Sequence, residues 1–123
     1  MTIIGAINRV DELKPNGYTQ AQKIEWLSSL DGMIKRTVID THEGGDDIHF
    51  APYNTETDLD TELLVAAPYD ELYIHWLESK IDYANAEYAH YNNSTMRFND
   101  VYADFANDYN RTHMPKGNHF KYF

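Results

Sequence analysis

The histidine and acidic side chains are the residues of this chain that could do chemistry. Six histidines are present, and Glu87-Tyr88-Ala89-His90 forms an E-x-x-H pattern on a predicted helix. That pattern is half of the motif that binds two metal ions in helical bundles, which also need a second E-x-x-H and two further inward glutamates. The sequence supplies neither in register. His75 and His90 fall on the polar side of their predicted helix, so we interpret both as solvated histidines.

A run of alternating polar and acidic residues from Asn54 to Glu62 is the second candidate. It imitates a calcium-binding loop, but it lacks the glycine at the sixth position and the glutamate at the twelfth. The chain contains no cysteine, and it has no nucleophile elbow, phosphate-binding loop or dinucleotide-binding fingerprint. We therefore predict no catalytic residues, no metal ligands and no cofactor, and we do not expect an enzyme.

Composition sets the broad class of the protein. A length of 123 residues with 42% hydrophobic side chains predicts one globular domain. The formal charge of −10 argues against general binding of nucleic acid, which requires clustered lysine and arginine. An acidic surface serves solubility, or it allows a protein to stand close to DNA without adhering to it. We predict neither a signal peptide nor a membrane-spanning segment.

Two amphipathic helices are predicted in the first third of the chain. Thr2 can cap a helix over residues 2–13, and 14–17 has the composition of a turn. Thr19 can cap a second helix that runs to about Asp40. Its apolar positions recur at helical spacing and predict a core-facing stripe: Ile24, Leu27, Leu30, Ile34 and Val38.

Helical periodicity fails after residue 41. Gly44-Gly45 predicts a flexible turn, and the residues after it could form a short strand. We interpret 42–62 as an exposed excursion, a long loop or a small β-hairpin, between the second and third helices. The predicted architecture is therefore an all-α, four-helix, bundle-like domain over residues 1–113, followed by a C-terminal tail over 114–123.

The third helix is predicted over 68–91 and the fourth over 94–112. Asn92-Asn93 would form the connection, and Ser94 would cap the fourth helix. The apolar side of the third helix covers close to half of its circumference, which is more than one side of a small bundle needs. Part of that surface is predicted to face another chain, and the candidate interface residues are Tyr69, Tyr73, Trp76, Tyr83 and Tyr91.

The fourth helix and the tail contain two further candidate surfaces. Asp100, Asp104 and Asp108 repeat at a spacing of four residues, which is typical of a solvated face but could also line a channel. The tail is basic and aromatic in an otherwise acidic chain. We interpret Phe120, Tyr122 and Phe123 as residues that insert into a groove of a partner, the alternative being a frayed end.

Four stretches carry a resemblance to a known family. They are LDGMIKR at 30–36, THEGG at 41–45, ELLVAAPYDELY at 62–73 and YNRTHMP at 109–115. With them the chain resembles small prophage proteins of the head–tail connector (adaptor) group of tailed phages. The resemblance implies a ring of subunits assembled on the portal protein beside other connector subunits, with DNA passing through without specific binding. It also implies a location in the bacterial cytoplasm during assembly and at the head–tail junction of the virion.

Two other functions remain open at this point. One is a small helical protein–protein interaction module unrelated to virion assembly. The other is a metal-binding helical bundle built on Glu87 and His90.

Overall fold

The computed structural model describes residues 1–117 and is an all-α domain. Its four helices are α1 (Ile3–Leu13), α2 (Gln20–Ile34), α3 (Leu72–Ala84) and α4 (Tyr88–Thr112). A π-helical turn, Lys35–Ile39, continues α2, and single 3-10 turns occur at Gly45–Asp47 and Tyr69–Glu71. No β-strand occurs within residues 1–117, where the only bridges are the isolated pairs Thr2–Glu62 and His42–Pro115. The predicted all-α class is confirmed.

The first two helices begin where the sequence predicted. The Gly5 N–H donates to Thr2 Oγ1 at 3.0 Å, and the Gln22 N–H donates to Thr19 Oγ1 at 3.1 Å. Each threonine thus satisfies one of the N–H groups that a helix leaves unpaired at its start. All five residues of the predicted α2 stripe are buried. Leu13, the last residue of α1, is 50% exposed.

Helix α3 occupies the centre of the domain and contacts each of the other three helices. Its fully buried residues Leu72, Leu77 and Ile81 join those of α1 and α2 in one core. From α4, Phe98 and Phe105 are buried against the same core. Because α3 is covered on several sides, its wide apolar circumference is largely used inside the domain.

Residues 42–62, predicted as an exposed excursion, are mostly exposed, but a few of their side chains attach them to the helices. Tyr53 is buried and donates its hydroxyl to the carboxylate of Asp31 at 2.6 Å. His42 is 4% exposed, and its ring nitrogens lie 2.5 Å from the Val38 carbonyl oxygen and 2.6 Å from Asn110 Oδ1. Sequence did not reveal these two anchors, because Asp31 and Asn110 are distant from Tyr53 and His42 along the chain. The hairpin alternative is wrong, because residues 42–62 contain no strand.

The beginning of the predicted tail is attached to the helical domain. The Glu43 N–H donates to the Met114 carbonyl oxygen at 2.8 Å, and the Lys116 N–H donates to that of Thr41 at 2.9 Å. Residues 114–116 therefore pair with 41–43 and continue the domain beyond residue 113.

The corner between α3 and α4 lies seven residues before the predicted connection. Helix α3 ends at Ala84 and α4 begins at Tyr88, so the predicted connection Asn92-Asn93 lies inside α4. Ser94 was predicted to cap a helix, but it is buried and donates to Asp82 Oδ2 at 2.7 Å. This long-range hydrogen bond and the burial of Phe98 stabilise a continuous α4. Asn92 and Asn93 accept a helical conformation as well as a turn, so they do not interrupt the helix.

Ala86 supplies the left-handed residue that ends α3. Its φ is 59°, its N–H donates to the Tyr83 carbonyl oxygen at 3.0 Å, and the Glu87 N–H donates to that of Asp82 at 2.9 Å. These two bonds form a Schellman motif, in which glycine is the usual residue at this position. The corner was missed in the sequence because alanine gives no signal for it.

Replacing Ala86 with glycine is therefore expected to stabilise the protein. A left-handed alanine costs roughly 1 kcal/mol relative to glycine, and the greater freedom of glycine in the unfolded chain offsets part of the gain. We expect the free energy of unfolding to rise by about 0.5 kcal/mol. Urea denaturation followed by circular dichroism measures this change. A loss of stability would show that Ala86 does not adopt the left-handed conformation.

Candidate interaction surface

Three tyrosines form a cluster at the corner between α3 and α4, two of them exposed and the third, Tyr91, partly buried. The ring centroids of Tyr83 and Tyr91 are 5.3 Å apart, and those of Tyr83 and Tyr88 are 5.9 Å apart, both edge to face. Tyr83 is 60% exposed and Tyr88 is 57% exposed. We call Tyr83, Tyr88 and Tyr91 the tyrosine cluster. Contacting aromatic rings that remain open to solvent are typical of protein–protein contact sites.

The corner itself brings the tyrosine cluster together. Tyr83 lies in the last turn of α3, and Tyr88 and Tyr91 lie in the first turn of α4. The Schellman motif at Ala86 folds these turns beside each other. Tyr83 and Tyr91 were predicted as interface residues, whereas Tyr88 was not selected, because its place in the cluster depends on the corner.

Tyr73 is not an interface residue, which corrects the sequence-based prediction. It is 0% exposed, and its hydroxyl donates to Asp31 Oδ1 at 2.6 Å. Its side chain is therefore fully used within the domain. The prediction failed because the apolar stripe of a helix does not reveal which part of it the other helices cover.

Tyr69 and Trp76 are partly buried against the core. The Tyr69 ring lies 6.2 Å from that of Phe105. Trp76 Nε1 donates to the Trp26 carbonyl oxygen at 2.8 Å, and the Lys80 ammonium lies 4.4 Å from the Trp76 ring centroid. Both aromatic residues contribute mainly to packing between the helices.

The acidic residues of α4 form an outward-facing row. Asp100 and Asp104 are exposed, and Asp108 is partly exposed and accepts from Arg111 Nη2 at 3.1 Å. Within residues 1–117, neither Asp100 nor Asp104 has an ion-pair partner within 4.0 Å. The row thus presents negative charge to solvent. Solubility or repulsion of a nearby polyanion could account for it.

An open groove of about 550 Å³ runs between α1 and the beginning of α3. Leu13 and Ile74 provide apolar lining, and Gly5 adds no side chain to it. Arg9, Asp70, Glu71 and His75 line the same groove and give it polar groups of both charge signs. Sequence reasoning did not identify this groove, because it depends on the distance between two helices.

The residues considered as metal ligands do not converge. His90 Nε2 lies 3.9 Å from Glu87 Oε2, and both side chains are at least half exposed. In the acidic run, the side chains of Asn54 and Asp58 accept from the N–H groups of Glu56 and Asp60 at 2.8 and 2.9 Å. Among the residues that the structure describes, no group of three His, Asp or Glu side chains could hold a metal ion.

Asp31 is a fully buried carboxylate that joins several elements of the fold. Oδ1 accepts from the Tyr73 hydroxyl at 2.6 Å, and Oδ2 accepts from the Tyr53 hydroxyl at 2.6 Å and the Leu64 N–H at 3.1 Å. Burial raises the pKa of the Asp31 carboxyl, although these three hydrogen bonds oppose the increase. Burial and the neighbouring Asp31 also raise the pKa of both tyrosine hydroxyls. These hydrogen bonds connect α2, the long connection and α3.

Phe120, Tyr122 and Phe123 lie outside the described residues, so the prediction that they contact a partner stays a prediction. Up to Gly117, no helix is both long and apolar enough to cross a bilayer. Comparisons of the chain with protein-family models, curated proteins and solved structures found no match in any of the three.

Proposed function

We propose that this protein is a structural subunit of a phage head–tail connector that works by assembling with copies of itself and with the portal protein. The exposed tyrosine cluster is the observation that supports assembly most directly. Tyrosine is enriched among residues that dominate protein–protein binding energies. Tyr83 and Tyr88 are more than half exposed, so much of their surface is free to contact another chain.

The acidic row of α4 suits a subunit that encircles DNA. Asp100, Asp104 and Asp108 point away from the core, and a channel lined with such carboxylates repels phosphate groups. DNA then passes without adhering to the wall. The connector identity itself rests on the four stretches of sequence resemblance, and the fold supports it through its all-α class.

The proposal predicts that copies of the chain assemble side by side on their cognate portal ring, and that the tyrosine cluster supplies the contact between neighbouring copies. A double variant, Tyr83→Ser with Tyr88→Ser, removes the two exposed rings, and each such residue contributes about 2 kcal/mol at an interface. We expect binding to weaken by at least about 30-fold. Sedimentation of the portal ring with each variant measures the bound fraction.

The matched control replaces His90 and Asn93, which are exposed near the same end of α4, with serine. This control should bind like the unmodified chain. An unmodified chain that fails to sediment with the portal ring contradicts the connector function. If it then still associates with itself through the tyrosines, the interaction module unrelated to virion assembly becomes the better interpretation.

A further inference from the structure

The tyrosine cluster and the α1–α3 groove lie on opposite faces of α3. Ile74 lines the groove, and Tyr83 belongs to the cluster. These residues are nine positions apart, which at about 100° per residue places them roughly 180° apart around the helix and about 14 Å apart along it. A single copy therefore cannot place its own tyrosines in its own groove.

We propose that the tyrosine cluster of one copy binds in the α1–α3 groove of the next copy, which makes the self-contact head-to-tail. This inference rests on the proposed function, because it assigns the subunit contact of that assembly to two surfaces. Each copy carries one projecting surface and one receiving surface. Such a heterologous contact builds a ring if the rotation closes and a filament if it does not.

The chemistry of the groove fits tyrosine side chains. Ile74 and Leu13 offer apolar contact to the rings, and Arg9 can lie over an aromatic face. Glu71 can accept a hydrogen bond from a tyrosine hydroxyl at the rim.

Charge also favours this pairing of surfaces. Two copies that each carry a formal charge of −10 repel one another at long range. The tyrosine cluster contains no carboxylate, and the groove lining combines Arg9 and His75 with Asp70 and Glu71. The proposed contact therefore places no pair of carboxylates face to face at its centre, whereas contact through the acidic row of α4 would.

Complementation between two variants tests the proposal. The cluster variant is Tyr83→Ser with Tyr88→Ser, and the groove variant is Leu13→Arg, whose long charged side chain replaces an exposed apolar one. Neither variant changes a buried residue. Met96→Ser is the matched control, because Met96 is apolar and 63% exposed but belongs to neither surface.

Sedimentation velocity at protein concentrations up to the millimolar range measures the outcome. We expect the unmodified chain and the control to form species larger than dimers, and each variant alone to remain monomeric. An equimolar mixture of the two variants retains one intact cluster and one intact groove. It should form a 1:1 heterodimer and nothing larger.

Three results would overturn the proposal. They are an unmodified chain that stays monomeric at millimolar concentration, a groove variant that associates as well as the unmodified chain, and a mixture that forms no heterodimer. The second result would indicate a symmetric contact between tyrosine clusters. Portal binding is measured separately, so a chain that binds the portal but fails complementation retains the proposed function without this contact.

Discussion

Replacing Asp31 with alanine is expected to lower the free energy of unfolding by on the order of 4 kcal/mol. The substitution removes the acceptor of the Tyr53 and Tyr73 hydroxyls and of the Leu64 N–H. Buried donors without an acceptor retain their desolvation cost, which is the main reason for the large effect. The loss is comparable with the whole stability of a marginal domain.

Urea denaturation with circular dichroism measures this loss, and Tyr53→Phe is its matched control. The control removes one donor and leaves the carboxylate with its remaining partners. We expect it to lower the free energy of unfolding by about 1.5 kcal/mol, the lower value for a hydrogen bond to a charged group. A loss below 1.5 kcal/mol for Asp31→Ala would show that its hydrogen bonds contribute little to stability.

Asp31→Asn should change how the free energy of unfolding depends on pH. Burial raises the folded-state pKa of Asp31 above its ordinary value of 3.8, so the folded state holds this proton more tightly than the unfolded state. The stabilising contribution is fully present below pH 3.8 and is lost as the pH rises through the raised folded-state pKa. The asparagine variant lacks this titration.

On mild acidification, the unfolding free energy of the unmodified chain should therefore rise relative to that of Asp31→Asn. Denaturation curves of both proteins at several pH values above 3.8 measure the shift. A difference that stays constant with pH, or that moves in the opposite direction, contradicts the raised pKa.

Replacing Asp82 with alanine is the second substitution with a large expected effect, a loss of about 3 kcal/mol. Asp82 is fully buried, pairs with the ammonium of Lys14 and accepts from the Ser94 hydroxyl at 2.7 Å. Alanine leaves the Ser94 hydroxyl buried without its acceptor and removes the counterion of Lys14. Because the Lys14 side chain is 24% exposed, water can solvate part of the freed charge.

Asp108→Ala is the matched control for Asp82→Ala. It removes an ion pair with Arg111 in which both side chains are more than a third exposed, a kind of pair that contributes about 0–1 kcal/mol. Both variants are compared with the unmodified chain by urea denaturation. Equal losses in the two variants would show that burial of Asp82 adds nothing to the strength of its contacts.

Some elements could be predicted because their determinants are local. Thr2 and Thr19 cap helices through N–H groups three residues away, so a short stretch of sequence contains the whole interaction. The stripe from Ile24 to Val38 is likewise a property of one helix. Asp31 was also visible as an acidic residue next to Leu30 on this helix, but nothing in the sequence indicated its partners.

The sequence by itself determined the helical class, the two threonine caps and the core-facing side of α2, because each depends on neighbours within about one or two helical turns. Only the tertiary structure decided where α3 ends, since Asn92-Asn93 accepts a helix as well as a turn, and Ser94 finds its acceptor on α3. The same packing decided that Tyr73 is buried while Tyr83 remains exposed. Both belong to one apolar stripe, and the stripe becomes a surface only where no other helix covers it.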